Sequence, residues 1–599
     1  MKKYKNAYTV CIAVTLMFFA LFTARLINWQ LIGGDGYREL ASLSGAAEEK
    51  SEPARGQIYD KNGKGLIVNQ TRYRVVVQNN SADSSGLDKT ISALTELMKK
   101  TGNSCNKNIP ESTAVGEPFV FADNLKKESV GAVAEHIQNL SGVSIEQYLV
   151  RGAEDPTLAP HILGALGAVT EEDCDSGEYG MNDKIGKFGI EASFEKELRG
   201  KSGEKLLFRD PDGEMTEEIK RPAKRGNNIW LTLDKKLQKT ASVSLEKNVK
   251  AARAEGEAQS KLNAESNVGE DCSAGAVVML DVRDFSVLAA ASCPTYDLNK
   301  YSLYGDYYIK LSQDESLPMF DRAFDGVFAC GSVFKPCVAL AALEEKVIEK
   351  ETEFYCTKYY DYYPSSVVEC MHYHGAQNVE SAMIHSCNWF FAETGRRLGI
   401  KRIDSYAERL GLGGKTGVEF GEAEGMLAGR DSGEWQAGNT PQAAIGQSDN
   451  AFTPVQLATY TATLANNGTR LKTHLVSKIT SYDNSEVISD FSKPQIARKS
   501  TFSEKNLKIV QNAMRGVARD YEGTAYSVFG DYKVDIAAKT GTAENAGSDH
   551  AVFICYAPFE KPEVAIAVVI ENGVKGKYAM QVANDLLDEY FEREQKPSN

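Results

Sequence analysis

Several sequence features that point to common functions are missing from this chain of 599 residues. It has no basic tract longer than a few residues, and its net charge of −14 argues against a nucleic-acid partner, because nucleic acids select concentrated positive charge. Its 11 cysteines include no C-x-x-C pair, and among its 7 histidines only His372 and His374 lie close together. The sequence therefore predicts no metal site and no cofactor.

Motifs for nucleotide binding and for α/β-hydrolase chemistry are missing too. The tripeptides Gly200-Lys201-Ser202 and Gly414-Lys415-Thr416 resemble the end of a phosphate-binding loop, but Glu195 and Arg409 occupy the positions of its first glycine. No G-x-S-x-G nucleophile elbow occurs. These two classes of site are excluded.

One apolar segment stands at the start of an otherwise ordinary globular composition. The run Ala7–Ala24 carries no charge and follows lysines, and about 20 apolar residues suffice to cross a bilayer. We predict a cytoplasmic tail at 1–7 and a transmembrane signal anchor at 8–31, which places the rest of the chain outside the membrane. A cleaved signal peptide is the alternative, but the run exceeds a usual signal core and no A-x-A cleavage site follows.

The length predicts two to four domains, and the first folded region follows the apolar segment. The segment Arg55–Asn79 has two alternating apolar runs around a turn at Asp60–Gly63, which predicts a hairpin or paired strands. We assign residues 32–225 to this first domain.

The pattern changes near residue 226. A polar stretch at 252–273 is interpreted as an insertion, and Ala276–Ser292 predicts two strands joined by a turn at Arg283-Asp284. Further strand patterns and a closing helix lie near the C-terminus. The sequence predicts an α/β domain at 226–599, with an antiparallel sheet and helices on its faces.

Three short motifs in this second region carry the candidate chemistry. Ser332 precedes Lys335 by three residues in a stretch predicted to be helical from Cys330 to Lys346, so both side chains lie on one helical face. Taken alone, a capping serine before a solvated lysine is the commoner explanation of S-x-x-K.

Two further motifs make the interpretation specific. Ser386-Cys387-Asn388 follows the S-x-x-K motif, and Lys539-Thr540-Gly541 lies on a predicted strand. The combination of S-x-x-K, an S-x-N triplet of the S-D-N type and K-T-G belongs to active-serine penicillin-binding proteins and β-lactamases.

The chemistry explains why these residue types are needed. A serine hydroxyl becomes a nucleophile when a base accepts its proton, and Lys335 is such a base once burial and the nearby cation Lys539 lower its pKa. Backbone amides at Ser332 and along the Lys539 strand can form an oxyanion hole. Thr540 and Thr542 offer hydroxyl groups to a substrate carboxylate.

Other residues near these motifs have simpler explanations. Lys415-Thr416-Gly417 is a second K-T-G triplet, but it follows a glycine turn and lacks a preceding apolar strand. His385 is expected to be a packed or exposed ring, and Cys387 a small packed side chain. Whether Cys356 and Cys370, which bracket a tyrosine-rich loop, form a local disulfide stays open.

With these motifs placed, the chain resembles a class B penicillin-binding protein, a membrane-anchored peptidoglycan D,D-transpeptidase, over nearly its whole length. Arg55–Gly63 resembles the R-G-x-I-x-D-R-N-G segment of the non-catalytic pedestal domain, and Gly189–Gly203 resembles its second motif. Ala444–Ala458 is similar to a stretch of the transpeptidase domain. The resemblance implies a penicillin-binding/β-lactamase-like transpeptidase domain behind an extended α+β pedestal and one transmembrane helix.

The resemblance also implies roles for single residues. Ser332 would be acylated by the D-Ala-D-Ala end of a stem peptide, a neighbouring strand's amine would resolve the acyl-enzyme, and β-lactams would acylate the same serine. The implied catalytic residues are Ser332, Lys335, Ser386, Asn388 and Lys539, and the implied substrate-binding residues are Thr540, Gly541 and Thr542.

The chain departs from the family pattern in places. Cys330 replaces the proline that commonly precedes Gly331, and Lys61 replaces a pedestal arginine. Nothing resembles a glycosyltransferase domain, so the family implies a SEDS-type polymerase as partner. Homodimerisation through the pedestal stays open, as do the acceptor amine and the role in elongation, division or spore formation.

Two rival functions share some of these features. A β-lactamase or D,D-carboxypeptidase would carry the same motifs, but the pedestal and the uncleaved anchor argue against a small diffusible substrate. A β-lactam-binding scaffold or sensor would keep the fold, but retention of all three motifs argues against a catalytically dead protein.

Overall fold

The computed structural model describes residues 2–29, 47–79, 84–106, 108–110, 113, 117–175, 179–180, 183–209, 215–262, 268–303 and 305–594. The chain forms two compact units, Met1–Gly56 with Lys196–Asn227, and Gln57–Glu195 with Asn228–Asn599. The domain boundaries at 32–225 and 226–599 stay a prediction.

The first unit contains the apolar N-terminal helix, Lys2–Ile27. Its stretch Tyr8–Ile27 is long and apolar enough to cross a membrane, and none of it is buried within the structure. The hydroxyls of Thr15 and Thr23 donate to the carbonyls four residues earlier, so these two polar side chains are satisfied inside the helix. Residues 30 and 31 of the predicted anchor lie outside the described residues.

A three-stranded antiparallel sheet completes the first unit. It is formed by Ala47–Ser51, Gly203–Arg209 and Met215–Arg221. The strand Gly203–Arg209 lies between the other two.

The second unit begins with the predicted hairpin, which is confirmed. Ile58–Tyr59 pairs antiparallel with Gly65–Gln78. The buried carboxylate of Asp60 accepts the amides of Asn62 at 2.8 Å and Lys64 at 2.7 Å, which closes the turn between the strands. Gly63 supplies the left-handed conformation that the turn requires, with φ of +78°.

The long hairpin strand lies in a seven-stranded sheet of the second unit. It pairs antiparallel with Pro118–Ala122 and Val143–Ala153. Since side chains alternate across a strand, one face packs on the amphipathic helix Ser84–Thr101. The apolar core between them includes Val75, Val77, Leu94, Met98, Phe121 and Val133. The other strands of this sheet are Asn228–Leu231, Val476–Thr480 and Val487–Asp490.

A five-stranded antiparallel sheet forms the centre of the transpeptidase-like region. Its strands are β1 (Ala274–Asp281), β2 (Val287–Cys293), β3 (Ala537–Ala543), β4 (His550–Ala557) and β5 (Val564–Glu571), in the order β2-β1-β5-β4-β3. Every residue of β1, β2 and β4 is buried. Both faces of the sheet are therefore covered, as the continuous apolar runs predicted.

Four long helices cover this sheet. Lys235–Leu262 and Gly576–Glu594 pack on each other and on the sheet, and Pro454–Ala465 and Glu504–Arg519 also pack on it. The helix at Pro454 begins with a capping box, in which Thr453 and Gln456 satisfy each other's backbone amides. The predicted fold class, an antiparallel sheet flanked by helices, is confirmed.

The first part of the polar stretch at 252–273 is helical. The helix that begins at Lys235 continues to Leu262. Ala252 and Gly256 lie on its buried side. A side chain at Gly256 would come within 2.4 Å of the backbone of Gly269, so the returning chain packs closely on the helix. Residues 263–267 lie outside the described residues.

The remaining elements are short. The helical segments are Lys127–His136, Ile137–Asn139, Pro160–Leu163, Glu171–Asp175, Gly189–Ser193, Glu195–Arg199, Leu298–Leu303, Gly305–Ser312, Gly331–Phe334, Lys335–Glu344, Val379–Ile384, Asn388–Leu398, Ile400–Leu410, Ala428–Asp431, Asn439–Ala444 and Tyr526–Phe529. The paired strands are Leu166–Ala168 with Lys184–Gly186, Phe328–Ala329 with Ala451–Phe452, Phe354–Cys356 with Gly375–Gln377, Tyr359–Tyr360 with Val368–Glu369, and Arg470–Leu471 with Ile496–Arg498.

Candidate active site

Ser332 lies in a tight turn that leads into a helix. A 3-10 turn spans Gly331–Phe334 and the α-helix spans Lys335–Glu344, so the helix is shorter than the predicted Cys330–Lys346. Pro336, in the first helical turn, lacks the amide that a helix start leaves unpaired, which accounts for the later beginning.

Gly331 lets this turn approach strand β3. Its φ is +57°, and a Cβ added to it would lie 2.4 Å from the carbonyl oxygen of Thr542. Its amide donates to the carbonyl of Gly446 at 2.9 Å. The backbone beside the nucleophile candidate is therefore fixed against two other segments of the chain.

The amine of Lys335 is buried and fully engaged with the second motif. Its Nζ donates to the carbonyl oxygen of Ser386 at 2.7 Å, to Oδ1 of Asn388 at 2.7 Å and to Oγ of Ser386 at 3.2 Å. Burial lowers the pKa of Lys335 to about 8. A lysine with this pKa is about one-tenth neutral at pH 7, a far larger share than for an exposed lysine.

Ser386 occupies the junction between the helices Val379–Ile384 and Asn388–Leu398. Its φ is +53°, a left-handed conformation that a serine rarely adopts. The amide nitrogen of the Asn388 side chain donates to the carbonyl of Glu369 at 2.8 Å, which leaves its oxygen facing Lys335. The strained backbone thus presents both polar side chains to the same amine.

The third motif lies on β3, as predicted. Lys539 is buried, and its Nζ donates to Ser386 Oγ and to the carbonyl of Thr540, both at 2.9 Å. Burial, reinforced by the charge of Lys335, holds the pKa of Lys539 well below its usual value. Two lysines from distant segments therefore meet at one serine hydroxyl.

The substrate-facing side of β3 remains open. Thr540 is half-buried and Thr542 is exposed, and Gly541 between them lies close to the Cys330 carbonyl, 2.8 Å from where a Cβ would stand. Among the described residues, the hydrogen bonds of Lys335 end on Ser386 and Asn388 and none reaches Ser332. Catalytic contacts of this kind commonly shorten when substrate binds.

A second polar cluster adjoins the second motif. Cys356, Cys370, His374 and Cys387 place one ligand atom each within 4.8 Å of one another, and the three cysteines are buried. We call this set the thiol cluster. The amide of Asn388 donates to Cys370 Sγ at 3.3 Å, so the cluster touches the backbone of the catalytic motif.

The geometry of the thiol cluster suits a tetrahedral metal ion. The Sγ atoms of Cys370 and Cys387 lie 3.8 Å apart, and His374 Nδ1 lies 3.7 Å from Cys356 Sγ and 3.2 Å from Cys370 Sγ. Zinc with Zn–S of about 2.3 Å and Zn–N of about 2.0 Å gives ligand separations of about 3.5 to 3.8 Å. Three thiolates and an imidazole are a common structural zinc donor set.

This cluster answers the question of the disulfide that the sequence left open, and it groups residues that the sequence did not bring together. Cys356 and Cys370 are free thiols that share a cluster instead of a disulfide. The prediction of no metal constellation also overlooked it, because its ligands come from four positions without C-x-x-C spacing. The nearest sequence signal was Cys370 four residues before His374.

The remaining candidates take structural positions. The amide and hydroxyl of Thr416, in the second K-T-G triplet, donate to the carboxylate of Glu422. His385 contacts Gln377 through Nδ1 and Glu522 through Nε2. The buried Asn450, in the triplet Ser448-Asp449-Asn450, donates to the Ala443 carbonyl.

Comparison with known proteins identifies the family. A model of the penicillin-binding protein transpeptidase domain matches residues 275–588, more than half of the chain. The chain belongs to the penicillin-binding protein transpeptidase family. A model of the penicillin-binding protein dimerisation domain matches residues 50–231, and the predicted resemblance to class B members is confirmed.

Individual relatives are similar to this chain over nearly its full length. Peptidoglycan D,D-transpeptidase MrdA of Salmonella typhimurium is 27% identical over 633 aligned positions, covering 99% of this chain and 96% of the relative. A chain of a peptidoglycan synthase complex that coordinates polymerization and crosslinking has a TM-score of 0.76 at 26% identity, covering 98% of this chain and 99% of that one. PBP2 of Helicobacter pylori, solved with MreC, shares the fold, with a TM-score of 0.71, 24% identity and coverage of 92% and 99%.

Proposed function

We propose that this chain is a peptidoglycan D,D-transpeptidase that cross-links stem peptides through an acyl-enzyme on Ser332. The observation that carries the proposal is the meeting of two buried lysines, Lys335 and Lys539, at the hydroxyl of Ser386 beside the Ser332 turn. The family membership supports the reaction class, and the geometry supports the roles that we propose for these residues.

Acylation begins with proton transfer from Ser332. Neutral Lys335 accepts the hydroxyl proton as Oγ attacks the carbonyl carbon of the penultimate D-Ala. We assign the oxyanion hole to the backbone amides of Ser332 and Thr542, which would donate to the developing oxyanion. When the peptide C–N bond breaks, the proton passes by way of the Ser386 hydroxyl to the amine of the departing D-Ala.

The donor peptide is oriented by its terminal carboxylate. Lys539 supplies positive charge, and the hydroxyls of Thr540 and Thr542 supply hydrogen-bond donors along the edge of β3. A carboxylate at this position favours the protonated form of Lys539 and so offsets the cost of burying its charge.

Deacylation repeats the chemistry with an amine as nucleophile. The acceptor amine of a neighbouring stem peptide attacks the ester carbonyl, loses a proton to Lys335, and forms the cross-link while Ser332 recovers its hydroxyl proton. A β-lactam acylates Ser332 in the same way, but its leaving nitrogen stays tethered through the opened ring and blocks the acceptor.

The rest of the chain places this site in the cell. We assign 1–7 to a cytoplasmic tail, 8–31 to a single membrane anchor, 32–225 to the pedestal and 226–599 to an extracytoplasmic transpeptidase domain of a bacterial cell. The likeness to a chain of a peptidoglycan synthase complex supports a SEDS-type polymerase as partner.

Labelling with a fluorescent penicillin tests the proposal. The full-length protein in detergent is expected to acquire one stable label, and Ser332→Ala is expected to remain dark while its melting temperature is unchanged. A β-lactam-binding scaffold without cross-linking activity would label but form no cross-linked product from glycan-linked stem peptides. Rapid loss of the label would instead identify a hydrolase.

A further inference from the structure

Thr524 lies against the third motif although no recognised motif contains it. Its Oγ1 is 2.7 Å from Oγ1 of Thr540, and both residues are half-buried at the cleft. Thr524 belongs to the turn between the helix Glu504–Arg519 and the short helix Tyr526–Phe529. The contact therefore joins a fourth segment of the chain to the carboxylate-binding edge of β3.

The turn that carries Thr524 is held on both sides. Ala525 donates its amide to the carbonyl of Val517 at 3.0 Å, and a Cβ on Gly523 would lie 2.4 Å from the same oxygen. On the other side, Glu522 contacts His385 at 3.2 Å, next to the second motif. The Thr524 hydroxyl is thus fixed in position before any substrate arrives.

The count of hydroxyl protons gives this contact a direction. Each threonine hydroxyl has one proton and can accept further hydrogen bonds. If Thr524 donates to Thr540, the Thr540 proton is free to point at a carboxylate, whereas the reverse arrangement consumes that proton. A bound carboxylate accepts only, so it selects the arrangement in which Thr524 donates.

We propose that Thr524 is a positioning residue for recognition of the donor carboxylate, acting through the hydroxyl of Thr540. The inference rests on the proposed transpeptidase function, because it concerns the same donor site. Thr524 strengthens a charge-assisted hydrogen bond without itself contacting the reacting carbonyl.

Paired ligands separate this role from a merely structural one. The full-length protein and Thr524→Val are acylated with benzylpenicillin and with its methyl ester, which lacks the free carboxylate. The concentration dependence of acylation yields the dissociation constant of the initial complex and the acylation rate constant separately. For the free acid, Thr524→Val is expected to weaken initial binding about three- to tenfold, the range for losing one neutral hydrogen bond that orients and polarises the Thr540 hydroxyl, with the rate constant unchanged.

The methyl ester is expected to bind the wild type and Thr524→Val equally, and Thr524→Ser is expected to restore tight binding of the free acid. In a double-mutant cycle, Thr524→Val is expected to add nothing to the loss caused by Thr540→Val. Equal loss for acid and ester, or additive effects in the cycle, would overturn the proposal.

Two controls keep the result interpretable. Thr352→Val removes a hydroxyl that accepts the amide of Glu349 at 2.9 Å. This variant is expected to change the dissociation constant of neither the free acid nor the methyl ester. If Thr524→Val does not fold, Thr524→Ala replaces it, with the acid-to-ester ratio as the deciding quantity. If the wild type is acylated by neither ligand, the proposed function fails, whereas normal wild-type acylation with unaltered acid binding in the variants refutes only the role of Thr524.

Discussion

Lysines occupy two contrasting clusters in this molecule. The buried amines of Lys335 and Lys539 hydrogen-bond to neutral oxygens of the second and third motifs, and burial lowers the pKa of both. Lys575 and Lys577, which are half exposed, both pair with the carboxylate of Glu255 and lower its pKa to about 2. The residue type is the same, but the partners differ in charge.

The difference shows what makes a lysine a base. A carboxylate partner favours the charged form of an ammonium group, whereas burial against neutral acceptors disfavours it. Because the buried pair comes from distant segments, only the folded chain creates it. The following predictions change the residues of the two clusters or the pH and state the expected effect on acylation or stability.

Replacing the buried base should have the largest effect. Lys335→Met keeps the volume of the side chain but removes the amine, and we expect penicillin acylation to slow on the order of 1,000-fold, as for loss of a general base. Lys577→Met is the matched control and should leave acylation unchanged. Stopped-flow labelling measures both, and comparable slowing in the two variants would contradict the contrast.

Giving the buried lysine a carboxylate partner should make it resemble the exposed pair. Asn388→Asp places a carboxylate about 2.7 Å from Nζ of Lys335, the present distance of Oδ1. The pKa of Lys335 should rise, and acylation at pH 7 should fall about 10- to 100-fold. The loss should shrink as pH rises, so a pH-independent loss would show that the amide acts in another way.

The wild-type pH profile should report the same pKa. With Lys335 near 8, about a tenth of the amine is neutral at pH 7, so the acylation rate should rise about tenfold between pH 7 and its high-pH plateau. The sign follows from the neutral form being the base. A rate that is flat from pH 6 to 9 would exclude this assignment.

The thiol cluster contacts Asn388, which in turn binds Lys335, so a change in the cluster tests whether it holds the second motif in position. We expect the purified protein to carry about one zinc per chain by elemental analysis, and Cys370→Ser to lose it, while Cys272→Ser, a buried thiol outside the cluster, retains it. Removing the metal should lower the melting temperature and slow acylation several-fold, since Cys370 accepts the Asn388 amide and Cys387 directly precedes Asn388 in the chain. If the purified protein contains no metal and has the same melting temperature with and without added zinc, the cluster is not a metal site.

Changing the exposed cluster should have the smallest effect. Glu255→Gln removes the carboxylate that holds Lys575 and Lys577, and the free energy of unfolding should fall by about 0.5 to 1 kcal/mol, as for partly exposed ion pairs. Acylation should be unchanged. Urea denaturation gives the first quantity, and a variant with altered acylation would mean that this cluster is coupled to the site.

The sequence could predict those parts of the fold in which local residue types decide the outcome. The hairpin at Asp60–Gly63 could be predicted from its turn residues. The central sheet could be predicted because its strands are continuous apolar runs, which is typical of a sheet covered on both faces. The three motifs were recognisable because they hold the residue types that the chemistry requires: a serine beside its lysine base, a Ser–Asn pair, and a lysine on a strand that can bind a carboxylate.

The parts that sequence missed depend on tertiary packing. The thiol cluster unites ligands from separate turns and strands, and no local spacing reveals it. The helix was predicted to begin at Cys330 but begins at Lys335, because Gly331 packs against β3 in a tight turn and Pro336 suits a first helical turn. Thr524 has no motif at all, and only the folded turn brings its hydroxyl to Thr540.

Mass spectrometry of the penicillin-treated full-length protein tests the central claim most directly. The account predicts one covalent penicilloyl adduct, mapped by peptide fragmentation to the hydroxyl of Ser332 and missing from Ser332→Ala. An adduct on another residue, or an unmodified Ser332 after complete inhibition of cross-linking, would contradict it.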